Sequence, residues 1–273
     1  MDEETFEEYR DALVQSELSE QTIRMYMRVA LQFEQYRQGR EVDKGLVLTY
    51  KQKIMERGYS VSSINLYIIA VNKYIRFLGI QNCGVKTLKV QKRRSVENVI
   101  TTEDYKKLLE YSLQTGRKKY YLIMKTLALT GIRISELRFI TVSVLEKGYT
   151  HVSNKGRVRE IYLPDGLITD LSKYCKEENI LTGAVFLGNR KTPISREAVW
   201  KMLKYLSGMA GLDEKKVHPH SFRHYFAISY MERFSNMFEL ADILGHSNLE
   251  TTRIYTSTSV EHKRKKINEL DRW

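Results

Sequence analysis

The stretch Leu244-Gly245-His246-Ser247-Asn248-Leu249-Glu250-Thr251-Thr252-Arg253-Ile254-Tyr255 tells more than any other part of the chain. Gly245 is a helix-ending signal, because glycine accepts the left-handed conformation that follows a last turn. His246 then projects from a turn, and Tyr255 lies a short helix later. A tyrosine is more often a core residue than a reagent, and the chain has 18 of them. What singles out Tyr255 has to come from other segments.

Two upstream segments supply it. In Thr130-Gly131-Ile132-Arg133-Ile134-Ser135-Glu136-Leu137, Gly131 allows a sharp turn and Arg133 sits just before a helix start. A guanidinium there can fork two phosphate oxygens while the helix amides add positive potential. Glu136 either pins that arginine or caps the helix. Standing alone, this box reads equally well as an ordinary surface arginine. In Pro219-His220-Ser221-Phe222-Arg223-His224, His220 and Arg223 are three apart and share one helix face near its start, which suits an anionic ligand. Phe222 and Phe226 fall on another face and are expected in the core. A metal site from His218 and His220 lacks a third ligand at helical or zinc-type spacing, so neither metal nor cofactor is expected. Arginines to hold a phosphate, histidines to hydrogen-bond it and a tyrosine to attack it are what breaking a phosphodiester without a metal requires.

The bulk composition is consistent with this. The chain has 45 Lys+Arg against 33 Asp+Glu, a net charge of +12. That balance favours a polyanionic partner, nucleic acid being the commonest, although many basic proteins are merely soluble. At 42% hydrophobic and 29% charged the chain is globular rather than disordered. Cys83 and Cys175 are far apart and lack CxxC spacing, so they form no zinc site by themselves and at most one disulfide; reduced thiols in a cytoplasmic protein are expected. The acidic start, Met1-Asp2-Glu3-Glu4, does not read as a signal peptide, and no apolar run is long enough to cross a membrane.

With only 3 prolines, the chain reads as mainly α with a small β-sheet. Residues 5–18 read as a short acidic helix. Ser19 caps a second over 20–37, with Ile23, Met27, Ala30, Leu31 and Phe33 as its apolar side. Residues 47–57 and 60–78 follow, ended by Gly58 and Gly79, and complete an N-terminal bundle over 1–85. Beyond its acidic opening the bundle is basic, and Tyr59, Ser60, Ser62, Ser63 and Asn65 are of phosphate-contacting type; a solvated polar face is the alternative, and the better reading for any single residue. Residues 86–99 have no helical period and are dense in positive charge. They read as a linker whose Lys92, Arg93 and Arg94 track a phosphate backbone, or else as a plain solvated connection.

A second domain is expected over 100–273. Thr101 and Asp104 make a capping box. Helices follow over 102–114 and 118–129, Gly131 breaks the second, and Ser135 opens a short third. Residues 149–153 and 158–163 read as strands around the turn Asn154-Lys155-Gly156. The chain is helical after Pro164, has a short strand over 184–187, and has helices over 195–209, 220–233 and 237–244. A basic tail helix is expected after Ser257, with Val260, Ile267, Leu270 and Trp273 apolar at loosely helical spacing.

The three boxes in this order resemble the tyrosine recombinase (phage integrase) family, of the simple two-domain, Xer-like type. The resemblance covers nearly the whole chain and is sharpest over 130–137 and 219–255. It implies an N-terminal helical core-binding bundle and an α+β catalytic domain. It further implies that Arg133, Lys155, His220, Arg223, His246 and Tyr255 are catalytic, with Glu136 in support. Lys155 is carried over from a lysine that the family has in a β-hairpin turn, and Arg157 and Arg159 lie close by. The implied partner is double-stranded DNA, bound by a homo-oligomer that is a tetramer in the synapse. The implied reaction is strand exchange through a 3′-phosphotyrosyl link, serving integration, excision, inversion or resolution without ATP. Phe222 stands where leucine is more usual, residues 142–149 lack an aspartate often seen there, and no additional arm-binding domain is expected ahead of the bundle. A catalytically silent DNA-binding protein of the same fold and a type IB topoisomerase are the rival readings. The intact residue set argues against the first, and the small bundle and the tail against the second.

Overall fold

Serine, threonine and aspartate side chains start most of the longer helices of this computed structural model, which describes residues 3–89, 98–154, 157–246, 249–256 and 268. The chain divides into two compact units, Met1–Lys92 and Arg93–Trp273.

The first unit holds α1 (Glu3–Gln15), α2 (Glu20–Arg37), α3 (Lys44–Glu56) and α4 (Val61–Phe77). Ser19, Asp43 and Ser60 accept the backbone N–H groups of Thr22, Leu46 and Ser63, satisfying amides that a first turn leaves unpaired. On α2 the buried residues are Ile23, Tyr26, Met27, Val29, Ala30 and Phe33. Leu31, expected among them, is 42% exposed. At about 100° per residue it falls outside the arc those six share. Tyr9, Phe33, Tyr50 and Tyr74 pack edge to face at the centre.

Two asparagines of α4 bind the segment that follows. Asn72 pairs with both backbone groups of Val85, and Asn65 with both of Leu88, at 2.7–2.9 Å. Residues 86–89, the start of the expected linker, therefore lie along the bundle. Ser60 and Asn65, candidate phosphate contacts by residue type, have these structural roles. Lys92, Arg93 and Arg94 lie outside the described residues.

The second unit opens on Thr101, whose capping box with Asp104 forms as expected and starts α5 (Thr102–Gln114). After α6 (Lys118–Thr130) come a 3-10 turn, Ile134–Phe139, and α7 (Val142–Lys147). The strands β1 (Tyr149–Asn154) and β2 (Arg157–Tyr162) pair antiparallel, with Val152 opposite Arg159. Then follow α8 (Asp165–Glu177), α9 (Arg196–Met209), α10 (Pro219–Phe234), α11 (Met237–Leu244), α12 (Glu250–Arg253) and a closing 3-10 turn, Ile254–Thr256. Leu108, Ile123, Leu127, Leu167, Leu203 and Phe222 lie in its buried core.

Two expectations change here. Helix α7 falls where the sequence predicts none, since six residues are too few to show a period. The strand expected over 184–187 is instead a pair of isolated bridges, Thr141 with Ala184 and Leu187 with Pro193. The expected tail helix after Ser257 lies outside the described residues apart from residue 268.

Candidate active site

Two helices end at the same place. Gly131 closes α6 at φ +59° and Gly245 closes α11 at φ +62°. Neither position has room for a side chain: a Cβ on Gly131 would sit 2.5 Å from Phe226 Cδ1, and one on Gly245 would sit 2.5 Å from Arg159 Cδ. Carbonyls at a helix C-terminus carry partial negative charge. Both ends turn that charge toward Arg223, which donates to Gly131 O at 2.7 Å and to Leu244 O at 2.5 Å. Arg223 is 5% exposed. Burial and then the charges of Arg133 and Arg159 push its pKa down to about 9, against the pull of Glu136, so it remains a cation at neutral pH.

Glu136 is the carboxylate of the cluster and is 2% exposed. It accepts the backbone N–H of Arg133 at 2.7 Å, Arg133 Nη1 at 3.1 Å and Arg159 Nη2 at 2.5 Å. Burial alone would raise its pKa. The Arg133 amide and the Arg159 charge outweigh burial and hold it below the ordinary value. Glu136 both pins Arg133 and caps the turn, filling at once the two roles that its position suggests. Arg133 also reaches toward Gly245 O at a long 3.4 Å.

His246 follows Gly245, and its Nδ1 lies 2.8 Å from the hydroxyl of the buried Thr252. Burial and the three arginines lower its pKa to about 4, so it is neutral at physiological pH. In the tautomer in which Thr252 donates to Nδ1, the ring proton sits on Nε2. His220 stands in the first turn of α10, whose cap is His218 Nδ1 accepting the Ser221 amide. Desolvation, then Arg223 and Arg133, lower the His220 pKa as well. Tyr255 occupies the final 3-10 turn, partly buried, with Oη 2.5 Å from His224 Nδ1. Burial raises its pKa to about 12, with Arg223 pulling the other way. Lys155 lies outside the described residues; in the sequence it falls between β1 and β2.

Among the described residues the cluster thus holds three guanidiniums, Arg133, Arg159 and Arg223, hydrogen-bonded or charge-coupled to one carboxylate, Glu136. An excess of buried and half-buried positive charge in one place suits an anion.

The Phage integrase family profile matches residues 98–262, and the N-terminal SAM-like domain profile of phage integrases matches residues 6–82. The chain belongs to the phage integrase family. Tyrosine recombinase XerA of Pyrococcus furiosus is 30% identical over 271 residues, covering 97% of this chain and 93% of that protein. Tyrosine recombinase XerD of Staphylococcus aureus is 27% identical over 298 residues, covering 98% of each. The fold is that of the Tn1549 transposon integrase, solved in complex with circular intermediate DNA, at a TM-score of 0.77, 19% identity and coverage of 97% of this chain and 99% of that one. The chain is accordingly a tyrosine recombinase, an enzyme of site-specific DNA breakage and rejoining.

Within the recombinase the expected residues Arg133, Glu136, Arg223 and His246 share one hydrogen-bonded and charged cluster, with Tyr255 and His220 within electrostatic reach of Arg223. Two further side chains belong there. Arg159, 9% exposed, joins Glu136 to the Ile243 carbonyl at the end of α11, and its Nε is buried without a hydrogen-bond partner among the described residues. The sequence carries a signal for it: Arg159 is two residues from the buried Ile161, so both point to one face of β2. His224 is the second, four residues from His220 and so on the same side of α10.

Proposed function

We propose that this recombinase acts on double-stranded DNA with Tyr255 as nucleophile. Tyr255 Oη attacks the scissile phosphorus, and the bond to the 5′-oxygen breaks. The products are a 3′-phosphotyrosyl link and a free 5′-hydroxyl. Arg133 and Arg223 neutralise the non-bridging oxygens, where charge grows in the transition state. His246 donates a hydrogen bond to the same phosphate, and His220 serves as acid–base or orients the tyrosine. Lys155 protonates the departing 5′-oxygen. The energy of the broken bond is kept in the phosphotyrosyl link, so a 5′-hydroxyl from the partner strand reseals it without ATP. On this reading residues 1–85 are the core-binding bundle, 86–99 a basic linker and 100–273 the catalytic domain. Four copies assemble the synapse.

The observation that carries this reading is the three-arginine, one-carboxylate cluster beside a tyrosine hydroxyl. The test uses a nicked duplex carrying the site that the chain selects from a random-sequence library. Tyr255→Phe is expected to bind it as the wild type does and to form no covalent protein–DNA adduct. An adduct persisting in that variant would remove Tyr255 as nucleophile.

A further inference from the structure

Arg223 and His224 are neighbours on α10, and at about 100° per residue their side chains diverge. Arg223 turns into the cluster of helix ends, while His224 meets the hydroxyl of Tyr255. The contact is 2.5 Å from Nδ1 to Oη, with ring centroids 5.6 Å apart. Like Phe226, Tyr230 and Met231, Tyr255 otherwise packs against the buried Ala227, Leu240 and Leu244. Such an apolar seat holds the ring but gives the oxygen no direction. Among the described residues, the direction comes from its hydrogen bond with His224.

Resting on the reading of Tyr255 as nucleophile, we propose that His224 is a further catalytic residue, the acceptor that aims the Tyr255 oxygen at the phosphate without itself taking the proton away. Burial, together with His220, His218 and Arg223, lowers its basicity to about 4, while the phenol is raised to about 12. A group so weakly basic accepts a hydrogen bond from the phenol but does not deprotonate it. Its neutral form, protonated on Nε2, presents a lone pair on Nδ1 to the tyrosine O–H.

This assignment separates His224 from a general base by experiment. His224→Asn places an amide oxygen near the Nδ1 position and cannot take up a proton. His224→Leu removes the acceptor. Single-turnover adduct formation is measured on the selected nicked duplex, with duplex binding and thermal melting as checks on folding. The Leu variant is expected to lose roughly ten- to hundredfold in rate, the scale of a misplaced reacting atom. The Asn variant is expected to stay nearer the wild type than the Leu variant, with the wild-type pH profile. A Leu variant as fast as wild type overturns the proposal. So does an Asn variant as slow as the Leu variant with one limb of the pH profile lost, which would make His224 a base. Nitrogen NMR of labelled histidine supplies a second readout: Tyr255→Phe must shift the His224 Nδ1 resonance, and no shift overturns the contact. An adduct formed by Tyr255→Phe would instead sink the nucleophile assignment on which the proposal rests.

Discussion

At the scale of single residues, Glu136 carries two ion pairs at once. It is the carboxylate that balances Arg133 and Arg159, and a buried ion pair left without one partner is costly. Glu136→Gln is expected to destabilise the catalytic unit by about 3–5 kcal/mol at neutral pH. The folded protein holds this carboxyl below its ordinary 4.5, so its ionised form contributes stability above that value. The contribution is lost as pH falls through the depressed folded value. Melting temperatures of the two proteins should therefore converge in acid, and a constant gap down to low pH would contradict the assignment. Arg133, Glu136, Arg223, His246 and Tyr255 are legible in the sequence because each stands in a box whose spacing has chemical meaning. Arg159 is legible only in part, through its two-residue spacing from Ile161, and His224 is not, because their roles depend on which strand face is inward and on which turn the tyrosine returns to. Both facts are tertiary.

At the scale of elements, the glycine ends of α6 and α11 decide the geometry. Gly131→Ala meets both a left-handed backbone and a clash with Phe226, whereas Gly183 has φ +78° and nothing within 4 Å of its would-be Cβ. Gly131→Ala is expected to cost roughly 2–4 kcal/mol, from backbone strain plus overpacking. Gly183→Ala should cost only about 1–2 kcal/mol, from strain alone. Equal destabilisation in denaturant unfolding would show that the Phe226 ring moves aside freely. The elements themselves are largely legible, since Ser19, Ser60, Thr101 and Ser195 announce helix starts by chemistry that is local. Helix α7 and the bridges at Ala184 and Leu187 are not, because a six-residue helix and single bridging pairs are set by what they pack on rather than by a repeat. Leu31 shows the same limit on α2: its polarity is right for a core but its angle is not.

At the scale of the whole molecule, the +12 charge gives the proposed DNA binding a signature. Neutralising Lys92, Arg93 and Arg94 together should weaken binding to the selected duplex and to random duplex alike. It should flatten the log–log salt dependence by about one unit for each phosphate that is no longer neutralised. An unchanged slope in a fluorescence titration would show that these residues do not touch the backbone. Arg223 matters at this scale in another way. Its two donations tie the last turn of α6 to the last turn of α11, segments more than a hundred residues apart in the chain. The arginine proposed to hold the phosphate is also the rivet between two parts of the core. A lineage that gave up strand cleavage while keeping the fold would be free to discard Tyr255 long before Arg223. The arginine would persist there as a relic of architecture, and its presence in such a descendant would say nothing about whether the enzyme still cuts.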